Sequence, residues 1–174
     1  MDHLYVTTQQ YDDLIERLIL KVDDEGYRFD SILCLARGGM RVGDIFSRVH
    51  DMPLAVMVTS SYREDAGKTQ GELDIARYIS QTRETMTGRL LIVDDMVDSG
   101  KTICEVVDLL KKTYPSITEI KVAVLWYKAQ SVFKPDFYVE YLEKNPWIHQ
   151  PFEIYDGFTI EKLREKRAEV DTIA

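Results

Sequence analysis

Three acidic residues and a glycine-containing loop lie close together in the middle of the 174-residue chain, in the segment LLIVDDMVDSGKT from Leu90 to Thr102. The carboxylates of Asp94 and Asp95 are acceptors suited to sugar hydroxyls, and magnesium prefers such oxygen ligands. Hydroxyl and glycine residues at a helix start leave backbone N–H groups directed at an anion, which the helix dipole favours. The order of a buried strand, an acidic turn and a glycine-containing helix start therefore predicts a site for a phosphorylated sugar.

The end of this segment, Gly100-Lys101-Thr102, also resembles the end of a nucleotide-binding P-loop. A P-loop requires a glycine five positions before Gly100, and that position is Asp95. A carboxylate there would repel a nucleoside triphosphate. A phosphotransferase built on this segment is therefore disfavoured.

Apolar runs and amphipathic segments alternate along the chain, and this alternation predicts a parallel sheet with right-handed crossovers. The predicted strands are residues 31–36, 54–59, 90–94, 120–126 and 137–141, with a further alternating stretch at 73–80. The predicted helices are one that begins at Thr7 or Thr8 and stops at Gly26, one at 40–49 and one at 102–113. Ligands of such sheets lie beyond the carboxyl ends of the strands, where Arg37, Asp94 and Lys128 fall.

A second candidate loop, Ala36-Arg37-Gly38-Gly39-Met40, follows the first of these strands. Paired glycines let the backbone approach a ligand closely, and a helix is predicted to start there. The guanidinium of Arg37 adds a rigid cationic fork that suits pyrophosphate. The loop and the acidic segment are both at strand ends, so the sequence predicts that they act together.

The acidic segment resembles the phosphoribosyl-pyrophosphate (PRPP) motif of type I phosphoribosyltransferases, which is an apolar strand, two acids, two residues, a third acid and a small loop. The resemblance implies that Asp94 and Asp95 hold the ribose hydroxyls, directly or through Mg²⁺ as the cofactor. It places Asp98 near N7 of the base as a catalytic proton acceptor. The 5′-phosphate would be cradled by the loop residues Asp98, Ser99, Gly100, Lys101 and Thr102.

The Arg37 loop resembles the pyrophosphate loop of purine phosphoribosyltransferases, whose first peptide bond is often a non-proline cis bond. By resemblance that bond is Arg37–Gly38. Arg37, with the amides of Gly38 and Gly39, would bind the pyrophosphate of PRPP and stabilise it as it leaves. The polar stretch 60–71 reads as a mobile loop, and its Ser60-Ser61-Tyr62 start resembles a flexible lid.

The resemblance extends that lid over about residues 60–72, where Ser61 and Tyr62 would close over PRPP and exclude water. Lys128 matches the family lysine that donates to O6 of a 6-oxopurine. The segment Trp147 to Glu153 resembles the base-binding hood of xanthine–guanine phosphoribosyltransferases, about residues 141–158 here. Trp147 and Ile148 would sandwich the purine.

At His149 the sequence departs from the family pattern, where an acid stands. The choice among guanine, xanthine and hypoxanthine is therefore open. The resemblance implies one phosphoribosyltransferase domain over residues 1–174, with the α/β fold of type I phosphoribosyltransferases. That fold has a parallel sheet, helices on both faces and a small hood. The charged tail 159–174 is expected to form a solvated helix or a frayed end.

The composition excludes several other classes of protein. Acidic residues outnumber basic ones, 30 against 22, which gives a net charge of −8 and disfavours nucleic-acid binding. A run long enough to cross a bilayer and a secretory signal are both missing from the sequence, so no membrane partner and a cytoplasmic location are expected. Cys34 and Cys104 have no C-x-x-C spacing, so neither a disulfide nor a zinc site is predicted.

Two other functions of the same fold stay open. One is a pyrimidine or orotate phosphoribosyltransferase, since the hood is assigned on one short segment. The other is a weakly catalytic regulator that senses PRPP or nucleotides, although the acidic net charge and the intact pyrophosphate loop disfavour it. With PRPP and a purine base as partners, the resemblance implies a homo-oligomer, either a dimer or a tetramer.

Overall fold

The computed structural model describes residues 2–61, 73–76, 78–82 and 84–173. The strands within these residues are β1 (His3–Tyr5), β2 (Ser31–Ala36), β3 (Leu54–Ser61), β4 (Leu73–Ile75), β5 (Gly88–Val97), β6 (Ile117–Lys128), β7 (Phe137–Leu142) and β8 (Trp147–His149). The helices are α1 (Thr8–Asp24), α2 (Met40–Val49), α3 (Lys101–Thr113) and α4 (Ile160–Ile173), with a 3₁₀ turn at Glu153–Gly157. Over the same residues, no helix is both long and apolar enough to cross a membrane.

The larger sheet has the strand order β4-β3-β2-β5-β6-β7 across the described residues. All of its pairings are parallel except that of β3 with β4. Cys34 of β2 is in register with Val93 of β5, which is in register with Ala123 of β6. The carboxyl ends of these central strands therefore meet at one edge of the sheet. The prediction of an α/β fold on a mainly parallel sheet is confirmed.

Helices cover both faces of this sheet. Successive residues of β2 point to opposite faces, and all of them are buried, as in a parallel strand packed on both sides. Leu33 and Leu35 share a hydrophobic cluster with Ile103 and Leu110 of α3. On the opposite face, α2 comes so close to Cys34 that a Cβ built on Gly43 would lie 2.7 Å from its Cβ. Apolar packing on both sides thus fixes where β2 and β5 end.

The chain divides into two compact units. The larger unit comprises residues 14–145 and contains the six-stranded sheet. The smaller unit comprises residues 1–13 and 146–174, and in it β1 pairs in parallel with β8. The side chain of Ile148 is 4% exposed. The tail predicted as a solvated helix or a frayed end forms the helix α4.

Two element boundaries near the predicted lid differ from the predictions. Within the described part of the alternating stretch 73–80, the strand is Leu73–Ile75, and an isolated bridge joins Ser80 to Val56. The lid was expected to begin at Ser60, but Ser60 and Ser61 belong to β3, because β4 supplies antiparallel partners for both. Residues 62–72, which include Tyr62 and the rest of the predicted lid, lie outside the described residues.

Candidate functional site

The paired acids lie within a strand. The strand was predicted to end at Asp94 and to be followed by an acidic turn, but β5 continues to Val97. Acidic residues are poor strand formers, yet here β6 supplies a partner as far as Tyr127, which pairs with Val97. The acids are carried on a paired backbone, which positions them more rigidly than a turn would.

Hydrogen bonds orient both carboxylates at the end of β5. The backbone N–H of Asp95 donates to Asp94 Oδ1 at 2.9 Å, and that of Met96 donates to Asp95 Oδ1 at 2.8 Å. Burial raises the pKa of the Asp94 carboxyl well above its ordinary value, and the negative charge of Asp95 raises it further. Two carboxylates this close are stabilised in their charged form by a cation.

The two carboxylates suit a magnesium ion by their chemistry. Magnesium is usually held by one or two carboxylates, and the remaining ligands are water and substrate phosphate oxygens. Among the described residues, no group of three or more His, Cys, Asp or Glu side chains is arranged to hold a metal. Asp94 and Asp95 supply the one or two carboxylates that such a magnesium site needs.

The glycine loop after β2 lies directly against these acids. A Cβ built on Gly38 would stand 2.6 Å from Asp95 Oδ1 and 3.0 Å from Asp94 Oδ1. Although neighbouring strand residues alternate in direction, both carboxylates therefore have an oxygen beside the same glycine. Only a residue without a side chain fits between this loop and the acids.

The backbone of the loop is fixed on both sides. The N–H of Gly39 donates to the carbonyl oxygen of Leu35 at 2.8 Å, and a Cβ on Gly39 would lie 2.5 Å from the carbonyl oxygen of Val93. The non-proline cis bond was expected at Arg37–Gly38, and that prediction is wrong. The cis bond is Ala36–Arg37, which joins the last residue of β2 to the loop. The Arg37 side chain is exposed at this edge.

The predicted phosphate loop opens α3. Gly100 has φ of +80°, in the left-handed region that favours glycine, and it precedes the first residue of the helix, Lys101. A side chain at Gly100 would also collide with Ser131. As a glycine, Gly100 has no side chain that could cap the first amides of α3, which include that of Thr102. The Ser99 hydroxyl accepts from the N–H of Lys101 at 3.4 Å.

The third acid and the predicted base-binding lysine form one ion pair. Lys128 Nζ lies 3.3 Å from Asp98 Oδ2, and the lysine side chain is only 6% exposed. A buried ammonium needs a nearby negative charge, which explains why Lys128 points to Asp98. Two polar residues that the sequence analysis did not identify join this pair, since Gln130 donates to Asp98 and Asn145 donates to Gln130. The position of Gln130, two residues after the strand-end lysine, was the available signal.

The predicted hood residues lie in the smaller unit. Trp147 and His149 share one face of β8, and Ile148 faces the other way. Trp147 is 38% exposed, whereas Ile148 is buried. On the adjacent strand His3 Nδ1 lies 2.8 Å from His149 Nε2, and the Tyr5 ring stacks on His149 at 4.4 Å between centroids. The side chain of Trp147 is therefore available for stacking, and that of Ile148 is packed.

The thiol beside the site is predicted to be unreactive. Burial, with the charge of Asp94 as the second cause, raises the pKa of Cys34 to about 11. Only about one molecule in a thousand then carries the reactive thiolate at pH 8. A maleimide should label Cys104 quickly in the native protein and Cys34 only after unfolding. Mass spectrometry of native Cys104→Ala should show almost no label, and rapid labelling of that variant would contradict the prediction.

The chain is similar in sequence and in structure to known proteins. A family model described as phosphoribosyl transferase domain matches residues 5–156. The xanthine-guanine phosphoribosyltransferase of Roseobacter denitrificans is 28% identical over 135 residues, which cover 75% of this chain and 72% of that protein.

Two solved structures share the fold. The purine phosphoribosyltransferase of Pyrococcus horikoshii is 31% identical, with a TM-score of 0.72 over 92% of this chain and 97% of that one. The xanthine-guanine-hypoxanthine phosphoribosyltransferase of Helicobacter pylori is 21% identical, with a TM-score of 0.71 over 94% and 99% of the two chains. The predicted fold class is thus confirmed.

Proposed function

Since the chain belongs to the phosphoribosyl transferase domain family, we propose that it transfers the 5-phosphoribosyl group of PRPP to a 6-oxopurine and releases pyrophosphate. The acceptor would be guanine, xanthine or hypoxanthine, and the reaction would serve purine salvage. The proposal includes dependence on Mg²⁺, a cytoplasmic location and assembly into dimers or tetramers.

One observation carries the proposal, namely the approach of the Gly38 backbone to the carboxylates of Asp94 and Asp95. A pyrophosphate-binding loop and a pair of acids that suits ribose hydroxyls must meet if both are to hold the same PRPP molecule. The two segments are more than 50 positions apart in the sequence. Their contact at the carboxyl ends of β2 and β5 is what the chemistry requires.

The reaction breaks the bond from C1 of the ribose to pyrophosphate and forms a bond from C1 to a purine ring nitrogen. Its transition state has oxocarbenium character, as at other anomeric centres. Negative charge builds on the departing pyrophosphate, where Arg37 and the amides of Gly38 and Gly39 stabilise it. Asp94 and Asp95 would hold Mg²⁺, which would supply further charge stabilisation when bound.

Two groups act on the purine in this proposal. Asp98 accepts the proton that the ring loses and becomes a neutral carboxylic acid, which then passes the proton to water. Lys128 donates to O6. An ammonium has three donors, so Lys128 can keep its contact with Asp98 while it binds the base. Since Ile148 is buried, any contact of Ile148 with the purine is made by its backbone, and Trp147 supplies the stacking side chain.

The relatives favour a purine acceptor, because those from Roseobacter denitrificans and Pyrococcus horikoshii are named for purines. The test is a coupled assay with PRPP and magnesium against guanine, xanthine, hypoxanthine, adenine, uracil and orotate, each alone. Nucleotide from one or more 6-oxopurines only is the expected result, and it would reveal the effect of His149. Product from a pyrimidine alone would overturn the purine assignment. Binding of PRPP without product from any base would favour a sensor.

Replacing Lys128 with alanine is expected to raise the KM for the 6-oxopurine by about tenfold or more, because a charged hydrogen bond to O6 is lost. The KM for PRPP should change much less. Steady-state kinetics with each substrate varied in turn measures both values. Lys134→Ala, which removes an exposed lysine of the same connection, is the matched control. An unchanged KM for the base in Lys128→Ala would show that the base is placed wrongly.

A further inference from the structure

The segment made of the last residue of β6 and the five residues after it, residues 128–133, packs against the loop that opens α3. The backbone N–H of Val132 donates to the carbonyl oxygen of Ser99 at 2.9 Å. Ser131 lies so close to Gly100 that a side chain on the glycine would collide with it. A backbone hydrogen bond and close packing therefore hold the two loops together. The backbone positions of the side chains that this segment directs at Asp98 are fixed relative to the Asp98 loop.

Both oxygens of the Asp98 carboxylate receive a donor from this segment. Lys128 Nζ lies 3.3 Å from Oδ2, and the side-chain amide nitrogen of Gln130 donates to Oδ1. Asn145 Nδ2 in turn donates to Gln130 Oε1 at 2.7 Å. Because an amide donates only through nitrogen and accepts only through oxygen, the bond from Asn145 makes Gln130 present its nitrogen to the acid.

We propose that Gln130, oriented by Asn145, is a positioning residue for the Asp98 carboxylate. This inference rests on the proposed function, in which Asp98 accepts a proton from the purine. Lys128 alone fixes one oxygen and leaves the carboxylate free to rotate about its Cβ–Cγ bond. A second donor on the other oxygen sets the plane of the group.

The two donors leave the acid able to react. Each carboxylate oxygen has two lone-pair sites, so one donor on each oxygen leaves a site for the incoming proton. Gln130 is uncharged and does not neutralise Asp98. A second lysine in its place would lower the affinity of the Asp98 carboxylate for a proton. Proton acceptors depend strongly on geometry, because the donor and acceptor must approach to about 2.6–3.2 Å. In this proposal Gln130 therefore acts by orienting Asp98.

The first test is steady-state kinetics of Gln130→Ala. We expect kcat to fall about tenfold, with both KM values changed less than about twofold, because a misplaced catalytic group slows the chemical step. Asn145→Ala should reduce kcat by less, since Gln130 remains. Gln130→Glu should be worse than Gln130→Ala, because it sets a second carboxylate against Asp98. If Gln130→Glu is the more active of the two, the proposal is overturned.

A double-mutant cycle separates positioning from a general role in loop stability. In the Asp98→Asn background, Gln130→Ala should change the residual kcat by less than about twofold, since the carboxylate it orients is gone. An equal loss in both backgrounds would assign Gln130 to loop stability and overturn the proposal. Lys134→Ala serves as the control and should leave kcat unchanged in either background.

A spectroscopic measurement tests the contact without any turnover. In the NMR spectrum of ¹⁵N-labelled protein, the side-chain amide signal of Gln130 is assigned by its loss in Gln130→Ala. Its hydrogens should exchange slowly with water, and its chemical shift should change in Asp98→Asn. If the wild type forms no nucleotide from any base, the proposed function fails, and this measurement still decides the contact. A side-chain amide of Gln130 that exchanges fast with water, and whose chemical shift is the same in Asp98→Asn, would overturn the positioning role even in an active enzyme.

Discussion

Replacing Asp98 with asparagine is expected to lower kcat by about 10²-fold or more, because the amide cannot take the proton that the purine ring loses. The substitution also removes the negative charge 3.3 Å from Lys128, whose side chain is almost completely buried. The variant should therefore unfold at a lower temperature as well. Kinetics per mole of folded protein, with the folded fraction measured by thermal unfolding, separates the two effects.

The control for this change is Asp108→Asn. Asp108 is an exposed aspartate on α3, so its replacement removes the same charge away from the site. It should leave kcat and stability nearly as in the wild type. If Asp98→Asn turns over at the wild-type rate, Asp98 is not the proton acceptor. A raised KM for the base with a normal kcat would instead make Asp98 a residue that binds the base.

Replacing Gly38 with alanine is expected to lower kcat/KM for PRPP by about 10²-fold. The new Cβ would stand 2.6 Å from Asp95 Oδ1 and 3.0 Å from Asp94 Oδ1, so the loop must move away from the acids. Displacement of a substrate-positioning loop by about 1 Å is enough for a loss of this size. Initial rates at varied PRPP concentration, with the purine saturating, measure the effect.

Gly26→Ala is a control that loses stability without touching the site. Gly26 has φ of +71°, and a Cβ there would meet nothing within 4 Å. Alanine in this left-handed conformation costs about 1 kcal/mol of stability. Its PRPP kinetics should match the wild type. If Gly38→Ala shows the same small loss of stability and unaltered kinetics, the loop does not hold pyrophosphate.

Most strands of the large sheet and the helices between them could be predicted, because the sequence patterns that indicate them are local. The apolar run of β2 and the amphipathic pattern of α2 match the structure residue for residue. The strand that forms β5 was predicted to end at Asp94. Acids are poor strand formers, and pairing with β6 carries β5 on to Val97. β1, three residues long, has no local signal strong enough to predict a strand.

The candidate site could be predicted in part. Asp94, Asp95 and Gly38 were identified from motif spacing, and their contact agrees with the expectation that strand ends meet. The contact of Gln130 with Asp98 depends on the path of a connection after β6, which no periodicity describes. The cis bond was predicted one position too late. Resemblance to a family indicates which loop carries such a bond more accurately than which peptide bond it is.

The parallel pairing of β1 with β8 affects the order in which the chain is completed during synthesis. The hydrogen-bonded histidines of the two strands are 146 positions apart in the sequence. A ribosome that has released residues 1–145 has supplied every strand of the six-stranded sheet, but β1 still lacks its partner. Domains form from the N-terminus onwards as the chain emerges. The segment proposed to recognise the base is therefore completed only after every strand of the six-stranded sheet has been made, although β1 precedes all of those strands in the sequence.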